Sequence, residues 1–241
     1  MGCKIYGVMV DTLRERERDV RYPISRWYVR PVAGQAARWL SGTAVRPCHL
    51  TVLGLTMAAV AIVILCAWPE WTAWVAIPVW LAWFFDRTDG MLARCQGTVS
   101  TWGAWLDANV DELVDVALQV AVTAALARQV DASWPWFLLV AFLAGKYLLM
   151  YGLMVEEVSP AARSRFSTET NFTVGDEANG FRSGLRSLYH LPGNCDVRVH
   201  WLILMLLLNQ LAIELAVVAG YYNLRWIVRY AIVWRRSGRR D

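Results

Sequence analysis

Eight residues at fixed spacing carry the chemistry of this chain: Asp86, Asp89, Gly90, Ala93, Arg94, Gly103, Asp107 and Asp111, in the run FFDRTDGMLARCQGTVSTWGAWLDANVDELVD. The pattern is D-x2-D-G-x2-A-R-x8-G-x3-D-x3-D. Four carboxylates stand beside strongly apolar stretches, where an unpaired charge is expensive. A cation must compensate them, and a divalent metal with a phosphate ligand is the natural candidate. On a helix, residues three or four apart share a face. Asp86 and Asp89 therefore converge, and Gly103, Asp107 and Asp111 line a second stripe. If the two helices are neighbours, all four acids meet. Gly90, Ala93 and Gly103 leave room for a bulky ligand near backbone. Arg94 offers a planar cation to a phosphate or to one of the acids.

The elements that must hold these residues are membrane helices. The chain has 241 residues, 57% of them hydrophobic, with a mean hydropathy of +0.34. That is too apolar for an ordinary soluble domain and points to an all-α polytopic membrane protein. Six spans are expected: about 50–67, 71–88, 103–127 and 134–156, with two more sharing 197–234. The last pair divides either near Asn209-Gln210 or near Gly220–Asn223. Residues 1–46 form a polar and interfacial N-terminal segment, and 47–241 form the membrane domain. Within the former, 24–42 mixes Trp27, Tyr28 and Trp39 with Arg26, Arg30 and Arg38. It reads as an amphipathic segment on the membrane surface, with Pro31 and Gly34 expected to interrupt a single helix. No signal peptide is expected, because the first apolar run begins near residue 50.

Basic residues set the orientation. Lys4 and eight arginines precede residue 48, five arginines (163, 165, 182, 186, 198) follow span four, and Arg235, Arg236, Arg239 and Arg240 close the chain. With six spans these segments share one side, which the positive-inside rule makes cytoplasmic. Both termini and the acidic cluster then face the cytoplasm. Five scattered cysteines without a CxxC pair and only three histidines exclude a Cys- or His-rich metal site.

The eight-residue pattern resembles that of the integral-membrane CDP-alcohol phosphotransferases at every position. The resemblance covers about residues 45–235. It implies six transmembrane helices, a homodimer, and a cytoplasmic-facing site open to lipid. It also implies cleavage of a CDP-alcohol with release of CMP and transfer to an acceptor hydroxyl. By position, Asp86, Asp89, Asp107 and Asp111 resemble ligands of a pair of Mg2+ ions, with Mn2+ also compatible with oxygen donors. Asp111 resembles the general base as well. Gly90, Ala93, Arg94 and Gly103 resemble the nucleotide-binding positions. Upstream, Pro47-Cys48-His49-Leu50-Thr51 resembles the family's P-N-x-[IL]-T, with Cys48 in place of Asn. Pro47 and Thr51 join the nucleotide set on that basis. Cys48 reads as helix-end packing, and His49 as an interfacial histidine within reach of the nucleotide.

The acceptor side is read from charge. Lys146, in the apolar run FLAGKYLLMYG, needs an anionic partner or a phosphate. Arg163, Arg165 and Arg198 suit a phosphate-bearing acceptor. Tyr189, His190, Asn194 and Asp196 are further polar candidates, and Asp115 reads as a partner between helices. The leading expectation is transfer of a phosphatidyl group from CDP-diacylglycerol to a small polar alcohol. A CDP-amino alcohol of the ethanolamine or choline type donating to a lipid hydroxyl is the alternative. A cation transporter is a distant third. No nucleic-acid partner is expected.

Overall fold

The computed structural model describes residues 23–158 and 194–237. Among them are seven helices and no strand: α1 (Ser25–Ser41), α2 (Pro47–Ala67), α3 (Thr72–Cys95), α4 (Thr101–Gln129), α5 (Trp134–Val158), α6 (Cys195–Leu207) and α7 (Leu211–Ser237). The chain forms two compact units. The first holds α1, α2, α3, α6 and the N-terminal part of α4; the second holds the end of α4 with α5 and α7.

Among the described residues, three helices are long and apolar enough to cross a membrane: Pro47–Ala67, Trp134–Val155 and Leu211–Arg235. At ~1.5 Å per residue, each matches a hydrocarbon core of about 30 Å. Helices α3 and α4 are also long, at 24 and 29 residues, but their acids and arginines lower their hydropathy. Helix α6 has only 13 residues. It stops at a tight turn in which Asn209 takes a positive φ of 52°, and α7 begins two residues later. Of the two expected divisions, the Asn209-Gln210 one holds. Gly220–Asn223 lies inside α7, where Gly220 continues the helix.

In the first unit, α1 corrects the sequence reading. Pro31 and Gly34 do not interrupt it. Pro31 removes one backbone hydrogen bond, a loss of about 3 kcal/mol in an isolated helix. Packing offsets it, because Val29, Ala33 and Ala37 follow one another at i,i+4 and are almost fully buried. Val29 and Ala33 pack on Trp83 of α3, while Ala37 packs with Leu50 of α2 and Leu92 of α3. Small side chains on this stripe let α1 approach closely. Trp27 and Trp39 point away from it, each about three-quarters exposed. Helices α2 and α3 come together at Gly54, where a Cβ would meet the Ala82 carbonyl at 3.4 Å and the Phe85 Cβ at 3.5 Å.

In the second unit, α5 and α7 meet at Gly145. A Cβ there would lie 2.9 Å from the Asn223 Nδ2 and 3.0 Å from its backbone nitrogen. The Asn223 amide donates to the Ala141 carbonyl at 2.7 Å and accepts from the Trp226 indole at 3.0 Å. An amide can hold a neighbouring helix in this way where no water competes for its hydrogen bonds.

Candidate metal centre

The acids are positioned by the turn joining α3 to α4. Helix α3 ends in a Schellman motif: the Thr98 N–H donates to the Ala93 carbonyl at 2.9 Å and the Gly97 N–H to the Arg94 carbonyl at 3.3 Å. Gly97 has φ +66°, the left-handed conformation this cap requires. Three residues later the Ser100 Oγ accepts the Gly103 N–H at 3.0 Å and starts α4. This short reversal brings the D-x2-D end of α3 beside the D-x3-D start of α4.

One carboxylate oxygen each from Asp86, Asp89 and Asp107 can be chosen so that all lie within 4.8 Å of one another. Three of the four expected acids, Asp86, Asp89 and Asp107, therefore converge. Asp111 lies one turn beyond Asp107 on the same stripe of α4. Asp89 is buried. Its Oδ2 accepts the Thr51 hydroxyl of α2 at 2.6 Å. That bond gives Thr51 a definite task, orienting an acid, whatever else it touches. Pro47 opens α2 in the first turn, where a missing N–H is tolerated. The donor set is all oxygen, several carboxylates share one locus, and one of them is held by a neutral hydroxyl. A hard divalent cation such as Mg2+ or Mn2+ fits such a set.

The remaining predicted residues are placed as follows. Gly90 follows Asp89, and a Cβ on it would lie 3.6 Å from the Arg94 guanidinium. Ala93 is half-buried, and Arg94 and Gly103 are exposed. The nearest neighbour to a Cβ on Gly103 is the Ser100 Oγ at 3.1 Å, so its close contact is with the α4 cap. His49 caps α2: its Nδ1 accepts the Arg46 N–H at 3.2 Å. Cys48, read as helix-end packing, is instead exposed.

On the acceptor side, Arg198 forms an ion pair with Asp115, which bears out the reading of Asp115 as a partner between helices. Lys146 belongs to the second unit, is buried, and has its ammonium 5.6 Å from the centre of the Phe142 ring. Arg163, Arg165, Tyr189 and His190 lie outside the described residues. Asp196, offered as a head-group contact, has another task. It is fully buried and accepts the N–H groups of Ile24 (2.7 Å) and Ser25 (3.0 Å) and the Ser25 hydroxyl (2.5 Å). It thus caps α1 from a distant part of the chain. Asn194 caps α6 by accepting the Asp196 N–H at 3.0 Å.

Sequence reasoning overlooked Arg87. Its Nε and Nη2 donate to the Asp86 Oδ2 at 3.0 and 2.6 Å, and its guanidinium sits 4.2 Å from the centre of the Trp83 ring. Residues one apart on a helix point in different directions, so the spacing argument had no reason to join them. The length of the arginine stem lets the head fold back.

The chain is similar to known proteins. The family model described as CDP-alcohol phosphatidyltransferase matches residues 44–224. A curated relative, the bifunctional IPC transferase and DIPP synthase of Aquifex aeolicus (strain VF5), is 26% identical over 153 residues. The match covers 64% of this chain and 31% of that protein, so this chain corresponds to about a third of the relative's length. The match to the family model runs over most of the chain and includes every acid of the cluster: the chain belongs to the CDP-alcohol phosphatidyltransferase family.

Proposed function

We propose that this protein transfers a phosphatidyl group from CDP-diacylglycerol to the hydroxyl of a small polar alcohol and releases CMP. The observation that carries the reading is the meeting of Asp86, Asp89 and Asp107 in a chain of this family. Asp86, Asp89 and Asp107 would hold Mg2+, with Asp111 completing the set for a second ion. When bound, such ions neutralise charge on the phosphate oxygens and favour displacement at phosphorus.

The chain's own groups then do the following. Asp111 removes the proton of the acceptor hydroxyl as that oxygen attacks phosphorus. The new bond joins the acceptor oxygen to the phosphatidyl phosphorus. The bond that breaks is the one from that phosphorus to the bridging oxygen of the pyrophosphate, and CMP leaves with the electron pair. Thr51 keeps Asp89 in register by its hydrogen bond. Gly90, Ala93, Gly103 and Pro47 leave room for the nucleotide, and Arg94 offers it a cation. Arg198 and Lys146, with Arg163 and Arg165, are the proposed acceptor-side cations. For Arg198 this role must operate alongside its pairing with Asp115. The architecture we infer is an interfacial segment at 1–46 and a six-span membrane domain at 47–241. It forms a homodimer with both termini and the site on the cytoplasmic side.

A CMP-release assay on the full chain, with CDP-diacylglycerol and CDP-ethanolamine as donors and a panel of alcohols, tests the reading. Product lipid is identified by mass. The panel includes the reactions named for the Aquifex relative, IPC transfer and DIPP synthesis, because the sequence similarity favours that second reading. CMP release with CDP-ethanolamine alone would reverse the donor assignment. Asp111→Asn should abolish turnover while nucleotide binding survives, and full activity in that variant would remove the general base.

A further inference from the structure

Two nitrogens of Arg87 converge on a single oxygen of Asp86. Nε lies 3.0 Å and Nη2 2.6 Å from Oδ2. The other oxygen of Asp86 takes no part in this fork. The guanidinium is not free to swing, because it rests on the Trp83 ring at 4.2 Å from its centre. Trp83 is itself buried in the cluster with Val29 and Ala33 of α1. A cation is thus fixed by packing at one acid of the cluster.

We propose that Arg87 is a positioning residue that lowers the affinity of this site for a divalent cation. It does so by occupying one oxygen of Asp86 and by opposing a second positive charge. The inference rests on the metal reading above and specifies how that site is tuned. Asp86 then offers an ion one oxygen and cannot chelate it with two. The cluster holds an ion weakly by itself, and a ligand that brings its own anionic oxygens, such as a nucleoside diphosphate, makes up the difference.

The test is a titration of the full chain in detergent with Mn2+, read by the electron paramagnetic resonance signal of the free ion. Arg87→Gln should bind Mn2+ about tenfold more tightly than the unaltered protein, since one nearby opposing charge is gone and Asp86 is released. Arg87→Lys keeps the charge and should stay within about threefold of the unaltered protein. If Arg87→Gln does not survive purification, Arg87→Met keeps an apolar stem against Trp83 and carries the same expectation. Equal or weaker Mn2+ binding in the neutral variant would overturn the proposal, as would Arg87→Lys binding as tightly as Arg87→Gln. Absence of Mn2+ binding in both the unaltered protein and Arg87→Gln, with a nucleoside diphosphate present, would instead overturn the metal reading on which it rests.

Discussion

Replacement of Asp196 by alanine should release α1 and little else. The carboxylate is fully buried and accepts three hydrogen bonds from the first residues of that helix. Truncation leaves the N–H groups of Ile24 and Ser25 without their acceptor, while the Ser25 hydroxyl can rotate to another. Hydrogen bonds to a charged acceptor contribute about 1.5–3 kcal/mol each, so losing two backbone bonds should destabilise the docked helix by about 3 kcal/mol. That is roughly a 100-fold increase in the fraction of time α1 spends undocked. Asp196→Asn can keep the oxygen that accepts both N–H groups and turn its NH2 to the Ser25 hydroxyl, losing the charge alone, and should fall between. Hydrogen exchange of the detergent-solubilised protein reads this directly by mass. Peptides from Ser25–Ser41 should lose protection by about that factor, whereas those from Pro47–Ala67 should not. Wild-type exchange across α1 in Asp196→Ala would show that the apolar stripe Val29–Ala33–Ala37 holds the helix alone. Equal loss in α2 would show that Asp196 supports the whole unit and does not act as a cap.

Three further outcomes are expected. Thr51→Val keeps the shape of the side chain but removes the hydroxyl 2.6 Å from Asp89; CMP release should fall about tenfold with the melting temperature little changed. Gly145→Ala places a Cβ 3.0 Å from the Asn223 backbone nitrogen and should destabilise the protein by about 1–3 kcal/mol in thermal melts. Gly220→Ala, also inside a helix but with nothing within 4 Å of the added carbon, is the control and should stabilise by about 0.5–1 kcal/mol through helix propensity alone. Chelation of divalent ions should abolish CMP release, with Mg2+ or Mn2+ restoring it; activity that persists in excess chelator would contradict the role given to Asp86, Asp89 and Asp107.

The cluster was legible in the sequence because helical periodicity alone decides which of its members share a face. Asp86 with Asp89, and Asp107 with Asp111, needed only the spacings of three and four. That Asp107 meets the first pair also needed the reversal at Gly97, and Gly-x2-Ser before a second apolar run is readable as such a turn. What periodicity does not record is a contact made by a long flexible side chain or between distant segments. Arg87 reaches Asp86 against the helical phase, and Asp196 reaches Ser25 across more than 170 positions. The continuity of α1 through Pro31 was hidden for a related reason. Local propensity argues for a break, and only the tertiary burial of Val29, Ala33 and Ala37 outweighs it.

The first turn of α6 explains how the acid-bearing part of α4 is held although its own side chains are largely exposed. Asp196 and Arg198 are two residues apart, which on a helix turns them by about 200°. They therefore face opposite ways, and each meets a different partner: Asp196 the start of α1, and Arg198 the Asp115 carboxylate one turn beyond Asp111. His200 adds a third tie, its Nδ1 donating to the Asp196 carbonyl at 2.6 Å and its Nε2 hydrogen-bonded to the Tyr28 hydroxyl of α1. One helical turn thus grips both α1 and α4 by polar contacts close to the acids. Val199, in the same turn, packs against the cluster of Val29, Ala33 and Trp83 from α1 and α3, and in the turn after α6 Asn209 accepts the Thr72 hydroxyl of α3 at 3.1 Å. Asp115, which continues the stripe of Asp107 and Asp111 one turn further along α4, is thereby tied to α6 through Arg198.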